Sequence, residues 1–446
     1  MASSTPIEIA IIGAGMGGLC SALALARAGH TKITVYEMAS DLGFVGAGIQ
    51  LAPNMARILD RLDCWKQIAA EAVQCYETSI VEGSTNKELG HVKLDYVEKT
   101  YGYPHMVGHR SSLARAMYDG CKKESDKITF KFRSTITDIK FSPKPSFTVT
   151  PRNGEPYQVE CDIILGADGV KSNTRVAMLQ ELGETASVVD TGQAAYRIML
   201  TREQMKDDPE LLALIESDTV TRWIGPRRHI IAYPISNHTI YNISTAQPDE
   251  NFADAPSATY TTKGSKKAML EVYGDYCDMI HRMLDLVPEG EVCEWKLRVH
   301  APLSTWVHGS MALVGDACHP TLPHLAQGAA QAIEDAAVLG VTLAPERIAD
   351  RSPSTINKAL LIYEKVRKQR AEALVELAAE NGRSMHLGEG KAKEERDKIF
   401  AALKTGKGPV PDKWADADVQ RMIYGVDVVK EAEKLCQEEG LVAAKL

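Results

Sequence analysis

The stretch Ile7-Glu8-Ile9-Ala10-Ile11-Ile12-Gly13-Ala14-Gly15-Met16-Gly17-Gly18 decides the fold. Residues 7–12 are an apolar run of buried-strand type, and glycines follow at once. Residues 17–29 then set Leu19, Ala22, Leu23 and Ala26 at helical spacing and stop at Gly29. The run KITVYE (32–37) supplies a second strand. Strand, glycine turn, helix and strand within about 30 residues make one βαβ unit. Gly13, Gly15 and Gly18 fit GxGxxG, and Glu37 ends the second strand 19 residues after Gly18. In that context Gly13 permits the tight turn, Gly15 lets backbone approach a pyrophosphate, and Gly18 lets helix and strand pack closely. Free N–H groups and the positive end of the helix dipole would hold the phosphates. A carboxylate at Glu37 accepts from ribose hydroxyls and repels a 2′-phosphate, which disfavours NADP at this site.

Downstream, 128–150 and 157–165 read as short strands that end in CDIILGADG. Between about 180 and 300, QAAYRIML, TVTRWI, HIIAYPI and TIYNIS alternate between turn residues, the pattern of a mostly antiparallel sheet. A helix over 266–286 is expected to interrupt it. MALVGDACHP (311–320) returns to buried strand plus turn, 328–344 to helix, and the chain beyond 355 is helical and charged, with a break at Pro409 and Pro411. The expected domains are a nucleotide domain over 1–180 with interleaved strands near 75–110, a sheet domain over 181–300, completion of the nucleotide domain over 301–350, and a helical region over 351–446. The charged tail either caps the molecule or joins two copies, so monomer and homodimer both stand.

The formal charge of −8 argues against a nucleic-acid partner. No run of about 18 uncharged apolar residues is present, so no membrane span is expected. Nine scattered cysteines without a CxxC pair or His/Cys ligand spacing predict reduced thiols in a cytoplasmic protein, with no metal site. Cys318 and His319 look ligand-like but lack partners and read as packing. The final Ala444-Lys445-Leu446 is similar to a peroxisomal Ser-Lys-Leu signal, which sets a peroxisomal location beside the cytoplasmic one.

Three separated motifs together resemble the class A flavoprotein aromatic hydroxylases: the GxGxxG with Glu37; Gly166-Ala167-Asp168-Gly169 continued by Ser172 and Arg175; and Gly315-Asp316 within GDACHP. The resemblance runs over nearly the whole chain. It implies an α/β fold in which a Rossmann-type FAD-binding domain carries an inserted, mostly antiparallel substrate sheet of the para-hydroxybenzoate hydroxylase type, with a helical C-terminal tail. It further implies that Asp316 binds the ribityl chain, that Asp168 helps flavin and nicotinamide binding, and that Arg110 reaches the ribityl-phosphate region. No second GxGxxG occurs, since Gly46-Ala47-Gly48 lacks the third glycine. NAD(P)H, NADH before NADPH, is therefore expected to bind transiently, reduce the flavin and leave.

Hydroxylation by an electrophilic oxygen needs an electron-rich ring, hence a base with a pKa near neutrality. It also needs a dry chamber and a helix N-terminus to stabilise charge on the reduced flavin. The loop Pro323-His324-Leu325-Ala326-Gln327-Gly328, followed by a helix, matches the last requirement. Ala326 stands where the family commonly has glycine, a subgroup mark. His229 and Tyr233, at i and i+4 on one strand, share a face with Ile231. They resemble the His and Tyr facing substrate in 6-hydroxynicotinate and 3-hydroxybenzoate monooxygenases, and imidazole has the right pKa for the base. The Pro323-His324 pair is similar to salicylate and 6-hydroxynicotinate hydroxylases, which tips the expectation toward decarboxylative hydroxylation. Arg197 or Arg222 could clamp a substrate carboxylate, while Arg227 and Arg228 in the Gly225-Pro226 turn read as solvated. Gln50 stands where the hydroxynicotinate enzyme has a His. The expected reaction joins O2 and a small phenolic acid. Salicylate, 4-hydroxybenzoate, 3-hydroxybenzoate and 6-hydroxynicotinate are the candidates, and flavin reduction without oxygen insertion is the rival.

Overall fold

In the computed structural model, residues 6–42, 47–141, 144–185, 188–250, 261–403 and 410–442 are described. Gly46, Pro409 and the Ala444-Lys445-Leu446 tail lie outside them. Two large sheets organise the chain. The first has six strands in the order Val307–His308, Met311–Leu313, Ile163–Gly166, Ile9–Ile12, Ile33–Tyr36, Ile128–Lys131. All its pairings are parallel except the outermost, 307–308 with 311–313. The Ile9–Ile12 strand is buried at every position, as a central parallel strand covered on both faces must be. Its Ile12 stands beside Gly166, so the GxGxxG turn and the Asp168 turn leave the sheet side by side. Gly315 follows the next strand.

The second sheet has eight strands and is antiparallel apart from the pairing of Thr219–Gly225 with Glu77–Glu82. One face, with Ile230, Ala232, Tyr241 and Ile243, is buried in its own core against the helices between 202 and 287. The opposite face carries Arg197, Ser244, Ile231 and Arg222 in one cross-strand row and Asn242 and Tyr233 in the next. That face looks toward the nucleotide domain.

The helix expected over 266–286 is two helices, Lys266–Val272 and Asp278–Asp285. The break releases Tyr273 and Tyr276 into the sheet's core, where their rings meet edge to face at 5.0 Å. The long helix Pro353–Met385 starts with proline at its first turn and Ser352 as its cap, whose hydroxyl accepts from Thr355 N–H. The tail then folds back on its own chain: Phe400 is buried against the position of Gly90, and Trp414 meets His105 edge to face at 4.9 Å. No helix among the described residues is long and apolar enough to cross a membrane.

Candidate active site

The cleft between the two sheets is built from the glycine turn outward. Gly13 has φ +102°, and a Cβ there would sit 2.4 Å from the carbonyl oxygen of Ala167. A Cβ on Gly18 would lie 1.9 Å from the carbonyl of Gly13. Both positions are closed to any side chain by the protein itself. Gly15 differs, because its Cβ would meet nothing within 4 Å. It caps helix Met16–Arg27 with no side-chain hydrogen bond, leaving free N–H donors in open space, the cradle a diphosphate requires. Glu37 accepts from Ala14 N–H and Ala39 N–H, each at 2.8 Å, so its carboxylate is held by backbone before any ribose arrives.

Two adjoining cavities run along the cleft, of about 320 Å³ on the Glu37 side and about 360 Å³ on the Tyr233 side. Gly15, Met16, Arg110 and Arg197 line both. Asp316, Gln50, Pro323, Ala326 and Gly328 line the second. Asp316 is exposed to this cavity yet deep beneath the molecular surface. That depth raises its carboxyl above the usual range, against the pull of His319 and Arg110. Ala167 and Gly169 also line this cavity, whereas Asp168 turns inward. Its carboxylate accepts from Ser172 Oγ and from the N–H and hydroxyl of Thr174. Arg175, fully buried, donates to the carbonyls of Ala317 and Val170 and ties that turn to the Asp316 turn. Asp168 therefore shapes the cleft from behind.

The loop facing the sheet ends at Ala326, φ +53°. This left-handed conformation suits glycine and costs other residues about 1–2 kcal/mol, which is the physical reason a glycine is expected there. Gln327 caps helix Gly328–Thr342 without a side-chain bond to the helix's own N–H groups, and Gly328 and Ala329 at that N-terminus line the cavity. Cys318 and His319 do acquire a partner, contrary to expectation. Asp335 lies with them in one buried cluster of ligand-type atoms. Its carboxylate is already committed to Gly315 N–H, His319 Nε2 and Arg367 Nε.

The structure divides the remaining expected residues into two groups. Tyr233 and Arg197 line the cavity. Burial raises the Tyr233 hydroxyl above its ordinary range. Arg197 lies over the Trp295 ring at 4.8 Å, and burial and then Arg110 lower its pKa. His229, His324 and Arg222 are not in the cavity lining and form a buried cluster behind it. His229 Nδ1 is 2.7 Å from Nε2 of His386, and the His324 ring lies 5.3 Å from that of His229. Arg222 is ion-paired with Asp412 at 2.9 Å, both almost fully buried. Asp412 also accepts from Asn381. Arg228, expected to be solvated, pairs with Asp275 and lies over the Tyr276 ring. Sequence reasoning missed His386, Asn381 and Asp412, which arrive from the tail with no local signal. It also missed Asn242, which the alternation of TIYNIS with Ser244 could have placed on the cavity face.

Burial lowers the pKa of all three imidazoles, His386 to about 4 and the others well below 6.5, with mutual repulsion and Arg222 adding to it. They are neutral in the folded chain and take up protons below about 6.5 when it unfolds. Stability is therefore present above pH 6.5 and falls as pH drops from there toward 4, by up to roughly 1.4 kcal/mol per pH unit per histidine. Urea unfolding at pH 7.5 and 5.0 reads this, and His386→Gln is expected to reduce the slope. Equal slopes would contradict it.

Fold and site together define a dinucleotide-binding flavoprotein: the cradle at Gly15, the two-part cleft and the Asp316 turn fit an FAD laid across the end of the parallel sheet. The FAD binding domain family matches residues 6–378, and the chain belongs to it, with FAD as its cofactor. The chain is 32% identical over 415 residues to the FAD-dependent monooxygenase ntnJ of Nectria sp, covering 89% of each. It is 29% identical to a 3-hydroxybenzoate 6-hydroxylase of Polaromonas naphthalenivorans (strain CJ2), covering 96% of this chain and 98% of that one. A solved salicylate hydroxylase–substrate complex superposes with a TM-score of 0.77 at 21% identity, covering 100% of both chains. Among its relatives the chain falls with the FAD-dependent monooxygenases, as the three-motif resemblance implied.

Proposed function

We propose that this chain hydroxylates a phenolic ring, using NAD(P)H as reductant and O2 as oxygen donor. The observation that carries the reading is the cavity in which Tyr233 and Ile231 on the sheet face Ala326 and the N-terminus of helix Gly328–Thr342. Bound there, FAD would pass two electrons from NAD(P)H to O2, so that one oxygen atom enters the ring and the other leaves as water. The protein's share is positional. The helix N-terminus stabilises negative charge at the cofactor edge, and the sheet wall with the Pro323 loop holds the ring and excludes water. Tyr233 orients the phenol, and His229 and His324, buried behind the wall and outside the lining, back the strand and loop that hold it.

A second reading, decarboxylative hydroxylation of an aromatic acid, is favoured by Arg197, a cavity cation for which no carboxylate partner is described. Arg222 cannot share that role while Asp412 holds it. FAD-loaded protein given NADH and a panel of phenols and hydroxybenzoates separates the outcomes. Accelerated oxygen uptake with a hydroxylated product supports hydroxylation, and CO2 release with benzoates supports the second reading. Flavin reduction with no oxygenated product would leave a reductase. His229→Ala separates support from catalysis: a loss of roughly 10²–10⁴-fold in hydroxylation with FAD still bound would make it the base, and an unchanged rate removes it from the mechanism.

A further inference from the structure

Asn242 stands directly opposite Tyr233 in the sheet register, and both line the cavity. Its carboxamide orientation follows from chemistry. Oδ1 accepts from the backbone N–H of Gly48 at 2.6 Å, and a backbone N–H can only donate. Nδ2 is thereby the free end, and it has no hydrogen-bond partner although Asn242 is 1% exposed. Rotation of the amide would put two donors face to face, so the donor is locked. The fit at Gly48 is equally tight: a Cβ there would lie 2.4 Å from Asn242 Cγ. Gln50, two residues beyond Gly48 on its strand and so about 6.6 Å from it, emerges from the same face. It lines the same cavity, is 4% exposed, and its Oε1 also lacks a partner. A buried donor or acceptor left unmatched is costly, so two such groups on one cavity wall mark where a ligand completes the bonding.

We infer that Asn242 and Gln50 form the specificity wall of the chamber, selecting a phenol that carries a second oxygen function on the same ring. This rests on the reading of the cavity as a phenol chamber. Asn242 Nδ2 donates to a phenolate or carbonyl oxygen, and Gln50 Oε1 accepts from a ring hydroxyl. Both groups are uncharged, so this wall reads hydroxyl and carbonyl oxygens rather than a carboxylate. A resorcinol-type ring engages both amides, and a simple phenol engages one.

The test uses the FAD-loaded enzyme and the perturbation of the oxidised flavin spectrum on titration with resorcinol, phenol and benzoate, which reads binding without turnover. Wild type is expected to bind resorcinol about 10- to 100-fold more tightly than phenol, the worth of one buried hydrogen bond. Asn242→Asp keeps the acceptor for Gly48 N–H and removes the donor; Gln50→Leu removes the acceptor. Each is expected to erase most of the resorcinol preference, raising KM more than it lowers kcat, while FAD stays bound. Asn242→Ser, which restores a small donor, is expected to recover part of it. A resorcinol preference that persists in both Asn242→Asp and Gln50→Leu would overturn the assignment, as would tighter binding of benzoate than of resorcinol by wild type. Normal spectral binding with no hydroxylated product would instead strike the proposed reaction and leave this wall standing.

Discussion

Arg367→Met is expected to destabilise the protein by about 3–5 kcal/mol in urea unfolding, because it takes one of its two cationic partners from each of two buried carboxylates. Arg367 is fully buried and donates to Asp335 through Nε, to Glu334 through Nη1 and to Gln331 through Nη2. Glu334 is held further by Arg370 and Asn54. Burial alone would raise both carboxyls. Arg370 and Arg367 keep Glu334 below its usual range, and His319 and Arg367 do the same for Asp335. Removing the guanidinium leaves the desolvation in full and the compensation to Arg370 on one acid and His319 on the other. Function should suffer along with stability, since Asp335 also accepts from Gly315 N–H at the Asp316 turn and both acids sit on the helix whose N-terminus faces the cavity. FAD affinity is expected to fall in parallel. Replacing Arg367, Glu334 and Asp335 together by apolar residues of similar volume is expected to be milder than the single change. A single variant as stable as wild type would show that the network is worth little.

Gly15→Val is expected to weaken FAD binding by about 100-fold or more, roughly 2.7 kcal/mol, while the apoprotein unfolds at the wild-type midpoint. At Gly15 φ is −71° and ψ −171°, extended backbone open to any residue, and no protein atom approaches the added Cβ. Only the space beside the helix N-terminus is filled. Gly18→Ala provides the contrast, since its Cβ collides with the Gly13 carbonyl and the strand–helix packing must yield before any ligand is considered. Fluorescence titration of FAD with apoprotein unfolding separates the two. Equal loss of folding in both variants would refute the distinction.

These predictions draw unequally on what could be read in advance. The βαβ unit was legible because its signals are local: a buried strand, glycines at fixed offsets and an acid at the next strand's end. The strand tracts between 180 and 300 were legible by alternation, since period two reports one covered face. Boundaries were less so. The 266–286 helix breaks where Tyr273 and Tyr276 turn into a core that only the folded sheet creates. Asp168 follows the strand Ile163–Gly166, and its contacts with Ser172 and Thr174, which no motif reports, turn its carboxylate away from the cleft.

By itself the sequence determined the nucleotide cradle, the two-sheet fold class and the strand bearing His229 and Tyr233, because each depends on residues within one or two elements of one another. Tertiary structure alone decided which of those side chains reach the cavity. Tyr233 and Arg197 do, whereas His229 is held by His386 and Arg222 by Asp412, partners 157 and 190 residues away in the chain. It also decided the orientation of Asn242, set by one N–H from Gly48, 194 residues earlier. A buried polar group takes whatever partner the closed fold brings to it, and no local pattern encodes a bond made across that distance.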